Sequence, residues 1–215
     1  MLNNNQLQEA VRDELKFDPS FTESDIAVSA SDGAVSLTGF VPSFSEKRYA
    51  ARAVERVAGV RNVKDEIRVR LPTGSKLSDS EITTRATQIL AWTVTVPPTV
   101  KATVHEGMVT LTGETPFGFQ RTAAETSIAR LDGVIGIDNR ITVKPASPLN
   151  AATPAFIDKA LQRLDFELGG ITVTAHDGKV SLKGAVRNAY QRDLAEHVAW
   201  SAPGVSQVHQ ELSIN

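Results

Sequence analysis

The chain of 215 residues contains no cysteine, which excludes disulfide bonds, cysteine-ligated zinc, iron–sulfur clusters and thiol catalysis. It also contains no run of about 18 apolar residues, so the sequence predicts no transmembrane segment. The 23 Lys and Arg residues nearly balance the 25 Asp and Glu residues, and the electrostatic footprint of a nucleic-acid-binding protein is missing. No GxSxG, HExxH, P-loop or Rossmann motif occurs. We therefore expect no enzyme, no cofactor and no nucleic-acid partner.

The amino-terminal residues lack both the basic region and the apolar region that a signal peptide requires. They run directly into the pattern of an amphipathic helix. From this we expect a cytoplasmic protein, with a periplasmic protein as the alternative if a leader has been trimmed.

One short stretch of sequence occurs three times. In each copy an acidic residue and a glycine precede a strand-like run that ends at a second glycine, at residues 32–39, 106–113 and 177–184. Twenty residues further on, each copy has a third glycine followed by valine, at Gly59, Gly133 and Gly204. Such spacing indicates an internal repeat. We predict three domains, which span residues 1–71, 76–145 and 149–215.

Periodicity within the first repeat predicts its secondary structure. Apolar residues recur every four positions over residues 7–15, which indicates an amphipathic helix, and alternate over residues 26–30, which indicates a strand. Asp32-Gly33 predicts a two-residue hairpin turn, because glycine tolerates a positive φ angle. Ser43 and Glu46 form a capping box that opens a second helix, and a third strand follows Gly59.

The predicted fold class is therefore α+β, with three tandem α-β-β-α-β units. In each unit two helices cover one face of a three-stranded sheet. Three strands leave open sheet edges, which invite contacts between units or between chains, and a homo-oligomer is one expectation.

The repeated pattern resembles the BON domain (bacterial osmotically inducible protein Y and nodulation). That family combines D/E-G-x-V-x-L-x-G, an amphipathic helix, and then G-V-x-x-V-x-N/D-x-[IL]-x-V. The segments that begin at Gly59 and Gly133 follow the second pattern closely, and the segment at Gly204 departs from it mildly. The resemblance covers nearly the whole chain. It implies a non-enzymatic module associated with phospholipid surfaces, envelope integrity or osmotic stress.

The favoured function is non-catalytic, peripheral binding to an anionic phospholipid surface during osmotic or envelope stress. One alternative is a cytoplasmic scaffold that binds protein partners and oligomerises through its sheet edges. Another is a stress sensor that binds potassium or another small ion, because a cytoplasmic BON protein of the family binds potassium.

The first candidate site is an arginine stripe on the second helix, formed by Arg48, Arg52 and Arg56, with Lys47 beside it. Like charges four residues apart destabilise a helix, so a stripe of this kind indicates a partner such as anionic lipid headgroups. The alternative is a solvated face relieved by nearby carboxylates or by an acidic neighbouring domain. Only the basic position of Lys47 recurs in the other repeats, as Arg121 and Arg192.

The second candidate site is formed by Phe117 and Phe119, with Arg121 beside them, at the start of a helix. An exposed aromatic pair beside a cation could insert at a bilayer interface or bind a protein. The alternative is that the pair packs over the helix entry or a sheet edge. Trp92 and Trp200 are predicted to lie between domains or over helices. No metal site is predicted, since the histidines lie in separate units.

Overall fold

The computed structural model describes residues 3–17, 26–72, 74, 77–147, 149, 153–164 and 171–214. Within them the chain forms three consecutive units, each with a helix, a β-hairpin, a second helix and a final strand. The first unit comprises α1 (Asn4–Phe17), β1 (Ile26–Ser31), β2 (Ala34–Val41), α2 (Phe44–Arg56) and β3 (Asn62–Val69). Of the predicted domain boundaries, residues 1, 76 and 215 lie outside the described residues.

The second and third units repeat this order. The second unit comprises α3 (Asp79–Trp92), β4 (Lys101–His105), β5 (Met108–Thr112), β6 (Glu114–Thr115), α4 (Gly118–Ile128), β7 (Gly136–Asn139) and β8 (Thr142–Val143). The third comprises α5 (Thr153–Arg163), β9 (Thr172–His176), β10 (Lys179–Val186), α6 (Ala189–Trp200) and β11 (Gln207–Ile214). The predicted α+β class, with three α-β-β-α-β units, is confirmed.

Each sheet is built around the returning strand of its hairpin. In the first unit β2 pairs antiparallel with β1 and parallel with β3, and α2 makes the crossover between the parallel strands. Asp32 and Gly33 form the predicted two-residue turn, with φ angles of 51° and 83°. This turn matches the twist of the strands, so it fixes their register.

In the second unit a glycine divides the central strand. Gly113, with a φ angle of 126°, separates β5 from β6. A Cβ atom there would lie 2.3 Å from the Thr99 carbonyl oxygen, so only glycine lets the chain before β4 pass so closely. The strand order is kept, since the Thr142 N–H donates to the Gly113 carbonyl at 2.9 Å.

Each unit has its own hydrophobic core between the helices and the sheet. In the first unit the buried face of α1 consists of Leu7, Val11 and Leu15, and it packs with Val35 and Leu37 of β2. The helical and strand periodicities in the sequence thus correspond to the faces that meet in this core. None of the helices in the described ranges has both the length and the apolar character that crossing a bilayer requires.

Local signals at the helix starts are also confirmed. Ser43 is the N-cap of α2, and its hydroxyl accepts the Glu46 N–H at 3.2 Å. Ser78 and Glu81 have the same spacing as Ser43 and Glu46, and they form a reciprocal capping box at the start of α3.

The expected pairing of units through open sheet edges is not observed, because the described strands form separate sheets with no pairing between units. The units contact one another through their second helices instead.

Replacing Gly113 with Ala is expected to lower the thermal unfolding midpoint more than replacing Gly74 with Ala. Both glycines have positive φ angles, 126° and 95°. A side chain in such a conformation costs roughly 1–3 kcal/mol. Only Gly113 would also bring a Cβ onto the Thr99 carbonyl, whereas the space around Gly74 is open. Scanning fluorimetry of the two variants measures the difference, and equal midpoints would contradict the close approach.

Candidate binding site at the junction of the second helices

The second helices of the three units, α2, α4 and α6, meet end to end. At the junction of α2 with α6, Asn188 caps the start of α6 and also donates its side-chain N–H to the Arg56 carbonyl at 3.2 Å. At the junction of α6 with α4, Trp200 lies against Gly118, where a Cβ would be 2.6 Å from Trp200 Cε3. The end of one helix therefore lies at the start of the next in both cases.

The third junction closes the ring. A cleft is lined by Ser43 and Glu46 at the start of α2 and by Ala129 and Leu131 just after α4. Phe44, the first residue of α2, packs against the core of the second unit. Each helix thus places its amino terminus near the carboxyl terminus of another helix, where the opposite partial charges of the backbone attract.

A central cavity of about 630 Å³ lies where the three helices meet. Its wall includes cationic, anionic and aromatic side chains from all three units. The charged and aromatic lining residues are Arg52, Glu55, Arg121, Glu125, Tyr190, Asp193, Glu196, His197 and Trp200.

Arg48 and Arg52 of the arginine stripe face this junction, and the three arginines have different surroundings. Arg48 forms an ion pair with Glu125 of the second unit. Arg56 pairs with Glu14 of α1 at 3.0 Å, and Arg52 lines the cavity. The ion pair with Glu125 agrees with the predicted alternative, in which an acidic neighbouring domain relieves the repulsion between the arginines. A direct role of the stripe in lipid or partner binding stays a prediction.

The basic position shared by the three repeats has two different roles. Lys47 stays within its unit, donating to the Ile67 carbonyl at 2.7 Å and lying 3.5 Å from Asp65. Arg121 likewise donates to the Asn139 carbonyl of its own unit at 3.5 Å. Arg192 instead reaches across the junction and donates to the Arg61 carbonyl of the first unit at 3.4 Å.

Two glutamates at equivalent repeat positions hold the second helices to their third strands. Glu125 accepts an N–H from Asn139 at 3.0 Å in addition to its ion pair with Arg48. Glu196 accepts from Gln210 at 2.7 Å and from the Trp200 indole at 3.2 Å. The sequence-based predictions missed both residues. The recurrence of a glutamate with a downstream amide in the second and third repeats was the available signal.

Packing at the junction raises the pKa of two carboxyl groups, those of Glu55 and Asp193. Burial, and then the negative charge of Asp193, raises the pKa of Glu55 from 4.5 to about 7, although Arg52, Arg192 and Arg48 oppose the shift. Burial also raises the pKa of Asp193 against the opposing effect of Arg192 and Arg52. At neutral pH the cavity therefore holds a carboxyl group near its own titration point.

Phe117 and Phe119 lie at the start of α4 and stack with ring centroids 5.6 Å apart. Both are half-buried, and the Phe117 N–H donates to the Gln120 side chain at 3.2 Å. Tyr190, at the repeat position of Phe119, lines the cavity and is 43% exposed. Membrane insertion of the phenylalanine pair stays a prediction.

The two tryptophans, Trp92 and Trp200, differ in where they lie. Trp200 lies between units, as predicted. The prediction for Trp92 was wrong, because its side chain is 77% exposed. The buried face of α3 contains Ile82, Ala86 and Leu90, and a residue two positions after Leu90 points to the opposite side of the helix.

The segment after Trp92 forms an apolar tip. Two turns follow the helix, closed by hydrogen bonds from the Val96 N–H to the Thr93 carbonyl and from the Val100 N–H to the Pro97 carbonyl. Val94, in the first turn, is 99% exposed. We call Trp92 and Val94 the unit-two tip. A neighbouring cleft of about 480 Å³ has mostly apolar walls, with Lys101 among its lining residues.

The ion pair between Arg48 and Glu125 is expected to couple the first two units. In a double-mutant cycle with Arg48→Ala and Glu125→Ala, we expect a coupling free energy of about 1 kcal/mol, since the pair is half-buried. The exposed pair Lys64–Glu66 on β3 is the control, and its coupling should be near zero. Urea unfolding measures both cycles. Equal coupling in the two would contradict a joining role for Arg48 and Glu125.

Glu55→Gln is expected to be more stable than the parent protein at pH 8, with the difference shrinking toward pH 5. The pKa of Glu55 is raised from 4.5 to about 7 in the folded state, so its contribution to stability is present below pH 4.5 and is lost as the pH rises through about 7. Thermal unfolding from pH 5 to 8 measures the difference.

Asp79→Asn is the contrasting variant. Hydrogen bonds from the Gly107 and Glu106 N–H groups lower the pKa of Asp79. The contribution of Asp79 to the stability of the fold is therefore present at neutral pH and is lost in acid. Parallel pH profiles for the two variants would contradict these assignments.

The family model for the BON domain matches residues 3–70, 78–145 and 155–215. Osmotically-inducible protein Y of Escherichia coli (strain K12) is 29% identical over 129 residues, which cover 56% of this chain and 63% of that protein. The aligned segment thus spans less than two-thirds of that relative.

Among solved structures, CdsD, a structural protein of the type III secretion system of Chlamydia trachomatis, is 13% identical with a TM-score of 0.25, covering 96% of this chain and 91% of that chain. A structure described as its C-terminal domain is 15% identical with a TM-score of 0.26 and full coverage of both chains. Scores this low support no inference. The three family matches span most of the chain, so the chain belongs to the BON domain family and carries three copies of that domain.

Proposed function

We propose that the protein is a non-catalytic binding protein that associates peripherally with anionic phospholipid surfaces during osmotic or envelope stress. The link to osmotic stress comes from the name of its relative, osmotically-inducible protein Y. The contact with lipid is assigned to the unit-two tip, Trp92 and Val94.

The exposure of the tip is the observation that carries this function. Trp92 is 77% exposed and Val94 is 99% exposed, and residues 86–100 contain no charged side chain. Inserting the tip into the headgroup region would therefore desolvate no charge. Tryptophan suits that depth, because its ring is largely apolar while its N–H can remain hydrogen-bonded.

Two further features support a contact with lipid. Lys101 lines the cleft beside the tip and offers a positive charge to an anionic headgroup. In the first unit Phe17, two positions after the buried Leu15, is 87% exposed, just as Trp92 follows the buried Leu90. Among the described residues, an exposed aromatic residue therefore ends the first helix of both the first and the second unit.

The arginine stripe is less suited to be the main lipid contact. Arg48 and Arg56 both make ion pairs within the protein, and breaking those pairs would offset much of the attraction to a headgroup. Peripheral association through a small apolar tip is expected to be weak and reversible.

Sedimentation with liposomes tests this function. The parent protein should sediment with anionic vesicles more than with neutral vesicles, and less at high salt. The variant Trp92→Ser/Val94→Ser should bind about thirtyfold more weakly, since burying these side chains is worth roughly 2 kcal/mol. Phe156→Ser is the matched control, because Phe156 of α5 is also a well-exposed aromatic residue, at 62%. That variant should bind as the parent protein does.

Two results would contradict the assignment. Equal binding by the tip variant and the parent protein would exclude the tip as the contact. No sedimentation with any vesicle would exclude lipid binding by the free protein, and self-association in gel filtration would then favour the scaffold expected from open sheet edges.

A further inference from the structure

Two charged residues that line the central cavity differ in burial, since Arg52 is exposed and Glu55 is half-buried. Arg52 and Glu55 lie one turn apart on α2, and both line the cavity. In the part of the chain that the structure describes, neither side chain forms a hydrogen bond or a close ion pair. Glu125 and Glu196, which line the same cavity, are by contrast each held by two donors.

The surroundings of Glu55 make its lack of a donor informative. Its charged neighbours are Asp193 and Arg192 from α6, and Arg52 and Arg48 from α2. Burial and Asp193 raise its pKa to about 7, so the protein itself does little to stabilise the ionised form. A half-buried carboxyl group without a donor is normally costly, and a bound donor would relieve that cost.

We propose that this cavity binds a small zwitterion of the amino-acid type, with its carboxylate on Arg52 and its ammonium group on Glu55. A guanidinium group binds a carboxylate through two parallel hydrogen bonds, and an ammonium group supplies the donors that Glu55 lacks. Side chains one helical turn apart have Cβ atoms about 5–6 Å apart, so a ligand with both charges close together can reach both of them.

A ligand of a single charge fits less well. An anion on Arg52 would lie near the carboxyl groups of Glu55 and Asp193, and a cation on Glu55 would lie near Arg52 and Arg192. A zwitterion satisfies both signs at once. The cavity volume of about 630 Å³ leaves room for such a ligand with some water.

Affinity should depend on pH in a definite direction. The ammonium group needs the ionised form of Glu55, which becomes the major form above about pH 7. Binding is therefore expected to strengthen several-fold from pH 6 to pH 8, and binding at pH 7 should release a proton to the buffer.

Isothermal titration calorimetry with glycine and with L-proline, at millimolar concentrations, tests this site. Direct binding is measured because molar concentrations of such solutes stabilise most folded proteins without occupying a site. Saturable binding is expected, and the affinity should fall at least tenfold in Arg52→Gln and in Glu55→Gln. Thr122→Phe changes no charge but fills part of the cavity, so it should also abolish binding.

Glu9→Gln and Arg12→Gln are the matched controls, since these exposed residues also lie one turn apart, on α1. Both should bind as the parent protein does. Gel filtration and the thermal midpoint verify that each variant keeps its fold. The site shares no residue with the unit-two tip, so its failure and the failure of lipid binding are distinguishable.

Three results would overturn the assignment. The first is the absence of binding heat for glycine and L-proline at every pH. The second is equally strong binding of acetate or of ethylammonium alone, which would indicate a site for one charge only. The third is an unchanged affinity in Thr122→Phe, which would place the ligand elsewhere.

Discussion

The closed ring of the second helices is the constraint on which the rest of the molecule depends. Each of the three junctions depends on a different residue: Asn188 bridges two helices, Gly118 leaves room for Trp200, and Phe44 packs against the core of another unit. The ring fixes the positions of three small domains whose sheets do not pair with one another. Each domain has a modest core of its own, and the junction adds the contacts between them.

Ring closure also determines the electrostatics of the cavity. It brings the charged faces of three helices together in a partly buried place, where unpaired charge is costly. Arg48 and Glu125 balance each other's charge in an ion pair, whereas burial and the negative charge of Asp193 raise the pKa of Glu55. The same packing therefore produces a stable ion pair at one point and a titratable carboxyl group at another.

The sequence predicts the interior of each unit well and the junctions poorly. Hairpin turns, capping boxes and apolar faces depend on residues close in the chain, so Asp32-Gly33 and Ser78 could be interpreted directly. The partner of Arg48 lies 77 residues away, and a helical stripe alone does not distinguish solvent from a neighbouring domain. Trp92 could have been placed correctly, because the buried face through Leu90 leaves it on the outer side of α3.

Differences between the repeats explain why the ring closes at all. Positions where the repeats agree, such as Val35, Val109 and Val180, build the core of each unit. A face shared unchanged by all three second helices would bring three arginine stripes against one another at the centre of the ring. The position of Arg48 is instead threonine in the second repeat and aspartate in the third. A cavity with both charge signs is therefore a consequence of joining three copies of one domain in a closed ring.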